Sequence, residues 1–255
     1  MNQKDETIAR QWLKRFASVR DPKLRSHAAL RILDESKAFE LVIGFSYMLT
    51  RSGGMFPKVD EALDAFLDAM TQEGALSYDS RRSLYTEAME CSLDVVARLF
   101  LELDAGEDDD VPATRSVVPG QKALSRGERK SLARAHRVDL IRALTQDPDP
   151  MVVEILLENP HLTEDDVVRM AAKRPTSAVC QALIYKAPKW RARYHVKLAL
   201  AKNPNTSIPV AIRSMVTLRT KDLKDISKDG KVPDVFREQA EGLVDLRESE
   251  LKSVH

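Results

Sequence analysis

Between Arg169 and Lys221 the chain runs for 53 residues without an Asp or Glu while carrying twelve basic side chains. These are Arg169, Lys173, Arg174, Lys186, Lys189, Arg191, Arg193, Lys197, Lys202, Arg213, Arg219 and Lys221. Over the whole chain acids and bases balance, with 40 Lys+Arg against 39 Asp+Glu, so an acid-free run of this length points to a face that meets something anionic. Its densest part, Lys186-Ala187-Pro188-Lys189-Trp190-Arg191-Ala192-Arg193-Tyr194-His195, alternates cations with aromatic rings. That combination can neutralise phosphates and stack on bases. An acidic protein surface, a nucleic acid, a lipid headgroup or the chain's own acidic half would each serve as counterpart.

Other chemistry is poorly represented. His27, His136, His161, His195 and His255 are scattered, and neither HExxH nor GxSxG occurs. No GxxxxGK[ST] or GxGxxG loop is present to cradle phosphates. Cys91 and Cys180 are too far apart in sequence for a CxxC metal site, and two cysteines make no disulfide framework. Both read as apolar helix positions. Glu164-Asp165-Asp166 opens a helix, where acids complement the dipole, so capping explains it better than metal binding. The residues therefore supply no catalytic set, no cofactor site and no metal ligands, and the chain reads as a non-enzyme.

Composition sets the frame for these side chains. At 255 residues, 43% hydrophobic and 31% charged, a packed fold is expected. Nine glycines and 5% aromatics argue against a β-barrel or a glycine-loop nucleotide fold. The longest apolar run, Leu41-Val42-Ile43, is far short of the roughly 20 residues that span a bilayer. Met1 to Glu6 holds no apolar signal core, and a cytoplasmic location is expected. Charge is divided: residues 1–114 carry 14 Lys+Arg and 21 Asp+Glu, net −7, while residues 115–255 carry 26 and 18, net +8.

The elements that must position these groups read as helices throughout. Ile8, Trp12 and Phe16 recur at helical spacing, and Asp21-Pro22 caps and starts the next helix. Phe39 to Leu49 is apolar almost all round, the pattern of a central buried helix ended by Arg51-Ser52-Gly53-Gly54. Val59, Leu63, Phe66, Leu67 and Met70 form another stripe, and Leu84, Ala88, Cys91, Val95 and Leu99 a long one. Residues 1–103 thus predict a helical bundle. Residues 104–122, with Asp104-Ala105-Gly106-Glu107-Asp108-Asp109-Asp110 at their start, predict an acidic, flexible linker.

From residue 123 to 255 an internal repeat is visible. Pro148, Pro175, Pro204 and Pro233 recur at intervals of 27, 29 and 29 residues, where helices must end. At an offset of 28, Leu162, Trp190 and Leu218 align, as do Val152, Cys180 and Ile208, Leu156, Ile184 and Ile212, Met170, Leu198 and Ile226, and Val167, His195 and Leu223. Trp190 and His195 accordingly read as core. Leu124-Ser125-Arg126-Gly127-Glu128 and Leu162-Thr163-Glu164-Asp165-Asp166 carry the same cap-and-acid start. Each unit holds two short helices, such as Met151–Glu158 and Glu164–Lys173, that need their neighbours to be stable.

The proline-punctuated pairs Asp147-Pro148…Leu156, Arg174-Pro175…Ile184 and Asn203-Pro204…Ile212 resemble HEAT-like repeats, or the shorter leucine-rich-repeat-variant type, over residues 124–246. The units are shorter than standard HEAT repeats and lack the iron–sulfur cysteine cluster attached to some variant repeats. The resemblance implies an all-α protein: an N-terminal bundle followed by a short HEAT-like α-solenoid. A solenoid presents an extended surface, which implies a regulatory adaptor docking an acidic protein partner on the twelve basic residues. Nucleic-acid binding through the same face is the alternative, and a HEAT-like DNA glycosylase a distant third whose carboxylate has no evident position here. Exposed Trp12, Phe16 or Phe56 would instead indicate a protein interface or a homo-oligomer.

Overall fold

The computed structural model describes residues 3–103, 114–117 and 122–253. Among them the fold is all-α: sixteen α-helices, one 3-10 turn, and a two-residue antiparallel bridge of Thr114–Arg115 (β1) with Leu124–Ser125 (β2). No helix among the described residues is long and apolar enough to cross a membrane. Packing divides the chain into two units, residues 1–103 with 212–255, and residues 104–211. One division between the units falls after Leu103. The expected C-terminal domain, 123–255, is corrected: from Ile212 onward the chain packs with the N-terminal bundle. Of the expected linker, 104–122, only 114–117 and 122 lie within the described residues, and Thr114–Arg115 there pairs with β2.

The first unit contains α1 (Gln3–Ala17), α2 (Pro22–Glu35), α3 (Ala38–Thr50), α4 (Pro57–Ala69), α5 (Tyr78–Glu90) and α6 (Asp94–Ala97), followed by the 3-10 turn Arg98–Phe100. To these the chain's later part adds the end of α14 (Ile208–Met215), then α15 (Thr220–Lys228) and α16 (Asp234–Ser253). α3 is the hub, packed against α1, α4, α5, α6 and α16, and every residue from Gly44 to Thr50 is buried. Trp12, Phe16, Phe45, Phe66 and Phe100 form one aromatic cluster, with ring centroids 5.1–5.6 Å apart in tilted or edge-to-face pairs. Gly44 makes room for it, since a Cβ there would lie 1.9 Å from the Trp12 ring. Trp12 and Phe16 are therefore core, whereas Phe56 is exposed. The long stripe expected from Leu84 to Leu99 is interrupted: Cys91 caps α5 and Ser92 has φ +56°.

What α16 contributes is best seen at Arg247, which is 1% exposed. Its guanidinium donates to the carbonyls of Leu218 (2.7 Å) and Val216 (2.8 Å) beyond α14, to Leu49 O (3.4 Å) near the end of α3, and to Ser52 Oγ (2.8 Å). One cation thus adds a donor to carbonyls at the C-terminal ends of two helices, where the helix dipole also favours positive charge. Gly53 passes beside it at φ +84°, and a Cβ there would sit 2.4 Å from Arg247 Nη1.

The second unit contains α7 (Arg126–Ala133), α8 (Val138–Leu144), α9 (Pro150–Leu157), α10 (Glu164–Ala172), α11 (Ala178–Lys186), α12 (Pro188–Arg191) and α13 (Tyr194–Lys202). Both capping boxes form, Ser125 with Glu128 and Thr163 with Asp166. Pro148, Pro175 and Pro204 fall between helices, as their spacing predicts. The constant 28-residue offset does not hold throughout. α13 begins 30 residues after α10, so His195 is exposed and Val196 is buried instead. α14 likewise begins 30 residues after α11, so Ile208 is exposed while Val210 is buried. Trp190 is buried as expected, and its ring N–H donates to Leu157 O at 2.7 Å.

Replacing Arg247 by Leu removes its bonds to Leu218 O, Val216 O, Leu49 O and Ser52 Oγ, and a loss of about 3 kcal/mol in urea-unfolding free energy is expected. Lys221→Ala, on an exposed position of the same unit, should change stability by less than about 0.5 kcal/mol.

Candidate functional site

Helix direction decides where the second unit's basic residues stand. Arg126 and Arg129 of α7 meet Asp149, the N-cap of α9, while Asn159 beyond α9 donates to Ala133 O (2.7 Å) and Ala135 O (2.9 Å) at the end of α7. Starts meet starts and ends meet ends, so α7 and α9 are parallel neighbours. α10 and α13 repeat the arrangement: Arg193 approaches Glu164 at their starts (3.7 Å), and Asn203 donates to Ala171 O (2.7 Å) and Lys173 O (2.9 Å) at their ends. α11 lies alongside α9, with Cys180 Sγ 3.4 Å from Pro148 O. The short turns then place the ends of α8, α10 and α13 beside the starts of α9 and α11. This edge is the Gln146 rim. The other edge, the His161 rim, carries the turns α7–α8, α9–α10 and α11–α13. A nine-residue helix separates the two by about 13 Å.

The twelve sequence-predicted residues do not form one face. Lys173, Arg174 and Lys202 stand at the Gln146 rim, where Lys173 Nζ donates to Gln146 O (2.8 Å) and Arg174 to Lys202 O (2.5 Å). Lys186, Lys189 and Arg193 stand exposed at the His161 rim, with Lys189 Nζ 4.1 Å above the Trp190 ring. Arg169 projects from the middle of α10 and pairs with Asp166. Arg191 and Lys197 are buried, at 6% and 5% exposure, and Arg191 donates to Tyr185 O and lies over the Tyr185 ring. Arg213 is also buried and belongs to the first unit, where it donates to Leu99 O (3.0 Å) and Leu101 O (2.7 Å). Arg219 and Lys221 are exposed on that same unit. Arg191, Lys197 and Arg213 are thus removed from any partner-binding set, because their charge is spent inside the fold.

Several groups that the sequence pattern did not single out are brought into play. His136 and His161, 25 positions apart, meet at the rim named for the latter, with His161 Nε2 2.9 Å from His136 Nδ1. No group of three or more His, Cys, Asp or Glu side chains among the described residues is placed to hold a metal ion. On the surface between α8 and α10, Arg142, Thr145, Gln146, Thr163, Asp165 and Arg169 line a polar cleft of about 600 Å³. Arg115 joins Lys173 on the Gln146 carbonyl oxygen. Burial pushes the Lys173 ammonium below the usual lysine range, and the neighbouring Arg115 charge adds to the effect. Sequence proximity could not show this set, because Arg115, Arg142 and Lys173 come from three separate segments.

Asp166 fixes the start of α10 beside that cleft. Burial raises its pKa, but bonds from the Thr163 hydroxyl and amide and from Arg169 outweigh burial and hold the carboxyl below its usual range. Compared with known proteins, the chain matches no family model, no curated protein and no solved structure.

Because the folded-state pKa of Asp166 is depressed, its stabilising contribution is complete above the ordinary carboxylate range and is lost as pH falls below it. Asp166→Asn should therefore cost about 1 kcal/mol at pH 7, the value of a helix-start cap. In urea titrations the gap between variant and wild type should close toward pH 3.

Proposed function

We propose that this chain is a non-enzymatic helical-repeat adaptor, its second unit a short HEAT-like solenoid that docks a protein partner with an acidic surface. The observation that carries the reading is the His161 rim, where Lys186, Lys189 and Arg193 come from three consecutive elements, all exposed. Arg193 approaches the half-buried Glu164 at 3.7 Å, while Lys186 and Lys189 extend into solvent. Successive turns of a repeat present residues to one side, and His136, His161 and Lys189 occupy three such turns. The parallel rows α7, α9, α11 and α10, α13 support the stacked arrangement that the repeats imply.

Nucleic acid is the second reading, favoured by the same cations. Burial of Trp190 speaks for protein over nucleic acid, because the ring that would stack on a base lies inside the unit. We assign the protein to the cytoplasm, in keeping with a chain that holds only two cysteines.

The test is anisotropy binding of labelled polyglutamate, duplex DNA and single-stranded RNA by the full chain across a salt series, repeated with Lys186→Glu, Lys189→Glu and Arg193→Glu combined. The adaptor reading expects polyglutamate binding that falls about tenfold or more in the triple variant. Tighter, salt-steep binding of nucleic acid, lost in the same variant, would replace it with the second reading. Absence of binding to any of the three would overturn both.

A further inference from the structure

We propose that the cleft between α8 and α10 is a binding site for a phosphate monoester dianion. The site uses none of Lys186, Lys189 and Arg193 and goes beyond the adaptor reading. Arg142 and Arg169 line the cleft, while Arg115 and Lys173 hold their cationic nitrogens on the carbonyl oxygen of Gln146, which is itself part of the lining. The Arg115 and Lys173 nitrogens are therefore no further apart than the sum of two hydrogen bonds. Two like charges so close repel one another, and an anion beside them relieves that repulsion. The nearest acids are engaged or few: Asp147 and Asp149 pair with buried Arg129, Asp166 with Arg169, and Asp165 lies on the cleft wall.

Charge matching favours a dianion. Arg115, Arg142, Arg169 and Lys173 offer four positive charges, and Asp165 and Asp166 offset two of them. A phosphate monoester near neutral pH carries close to two negative charges and three acceptor oxygens, against one charge for a backbone phosphodiester. Arg142 and Arg169 stand on facing helices and can each present a planar donor fork to those oxygens. Thr145 does not compete for the anion, because its hydroxyl donates back to Arg142 O at 2.7 Å. A volume of about 600 Å³ admits more than the phosphate itself, so the ester could be a small molecule or a phosphorylated side chain on a peptide.

The experiment is NMR titration of the isotope-labelled full chain with glycerol phosphate, a phosphoserine peptide, the same peptide unphosphorylated, and a short single-stranded DNA. Shifts at Arg142, Thr145, Gln146 and Arg169 are expected with the two phosphate monoesters, with affinity at least tenfold weaker for the other two probes. Tighter binding of the phosphopeptide than of glycerol phosphate would identify a phosphorylated partner as the source, and equal binding a small ester. Arg142→Gln, at an exposed position, should weaken both monoesters about tenfold, whereas Lys189→Gln on the opposite rim should leave them unchanged. The proposal is overturned if the monoesters leave the four cleft amides unshifted, or if Arg142→Gln binds them as tightly as wild type. Either result leaves the polyglutamate experiment on the His161 rim unaffected, so the two readings fail separately.

Discussion

Short helices end in carbonyl groups that nothing inside the helix can satisfy, and this protein is organised around supplying donors to them. A helix of eight or nine residues leaves its last four C=O groups open, nearly half of its acceptors. α7 to α13 are all nine residues or shorter. In the second unit Asn159 and Asn203 each reach two carbonyls at the end of the neighbouring parallel helix, Trp190 reaches one at the end of α9, and Gln181 reaches Met170 O. In the first unit the donors are the guanidinium groups of Arg213 and Arg247. Apart from the Gln181 bond, each joins elements distant in sequence, so satisfying helix ends also fixes which helices lie side by side.

The same requirement accounts for part of the acid-free stretch. A cation needs acceptors, and carboxylates are only one kind. Lys173, Arg174, Arg191 and Arg213 all donate to main-chain carbonyls. An Asp or Glu beside these groups would draw them away from the helix ends they serve. Twelve basic residues in sequence therefore divide into those that donate to carbonyls within the fold and those whose charge is left on its surface. Arg129 illustrates the other solution, a fully buried guanidinium set between Asp147 and Asp149 while donating to Leu124 O.

Helix type and most helix positions were legible from periodicity, proline spacing and the caps at Asp21, Ser125 and Thr163, because those signals are local. The constant repeat offset was an approximation: α13 and α14 each begin later than it requires, which turns His195 and Ile208 outward. The role of Arg247 was not legible, since a charged residue in a charged helix reads as solvated until its distant acceptors at Val216 and Leu218 are in place. The placement of the basic residues was half legible. Composition located the cations, but antiparallel helix direction sends neighbours in sequence to opposite rims, and it brings in Arg115 and Arg142 from outside the stretch. The pairing of His136 with His161 depends on the α7–α9 alignment and has no local signal.

The first unit is assembled from residues 1–103 and 212–255, with the second unit lying between them in the chain. On a ribosome this order has a cost that equilibrium stability does not reveal. Synthesis at roughly 5–20 residues per second leaves at least several seconds between the appearance of α3 and that of α16, which covers it. During that interval apolar surface on the bundle is open to chaperones or to other nascent chains. The 104–211 unit is complete in sequence before α16 exists, so it can fold while its host is still unfinished. Rates of translation through the last 44 residues would then influence yield of the folded protein independently of any change in its amino-acid sequence.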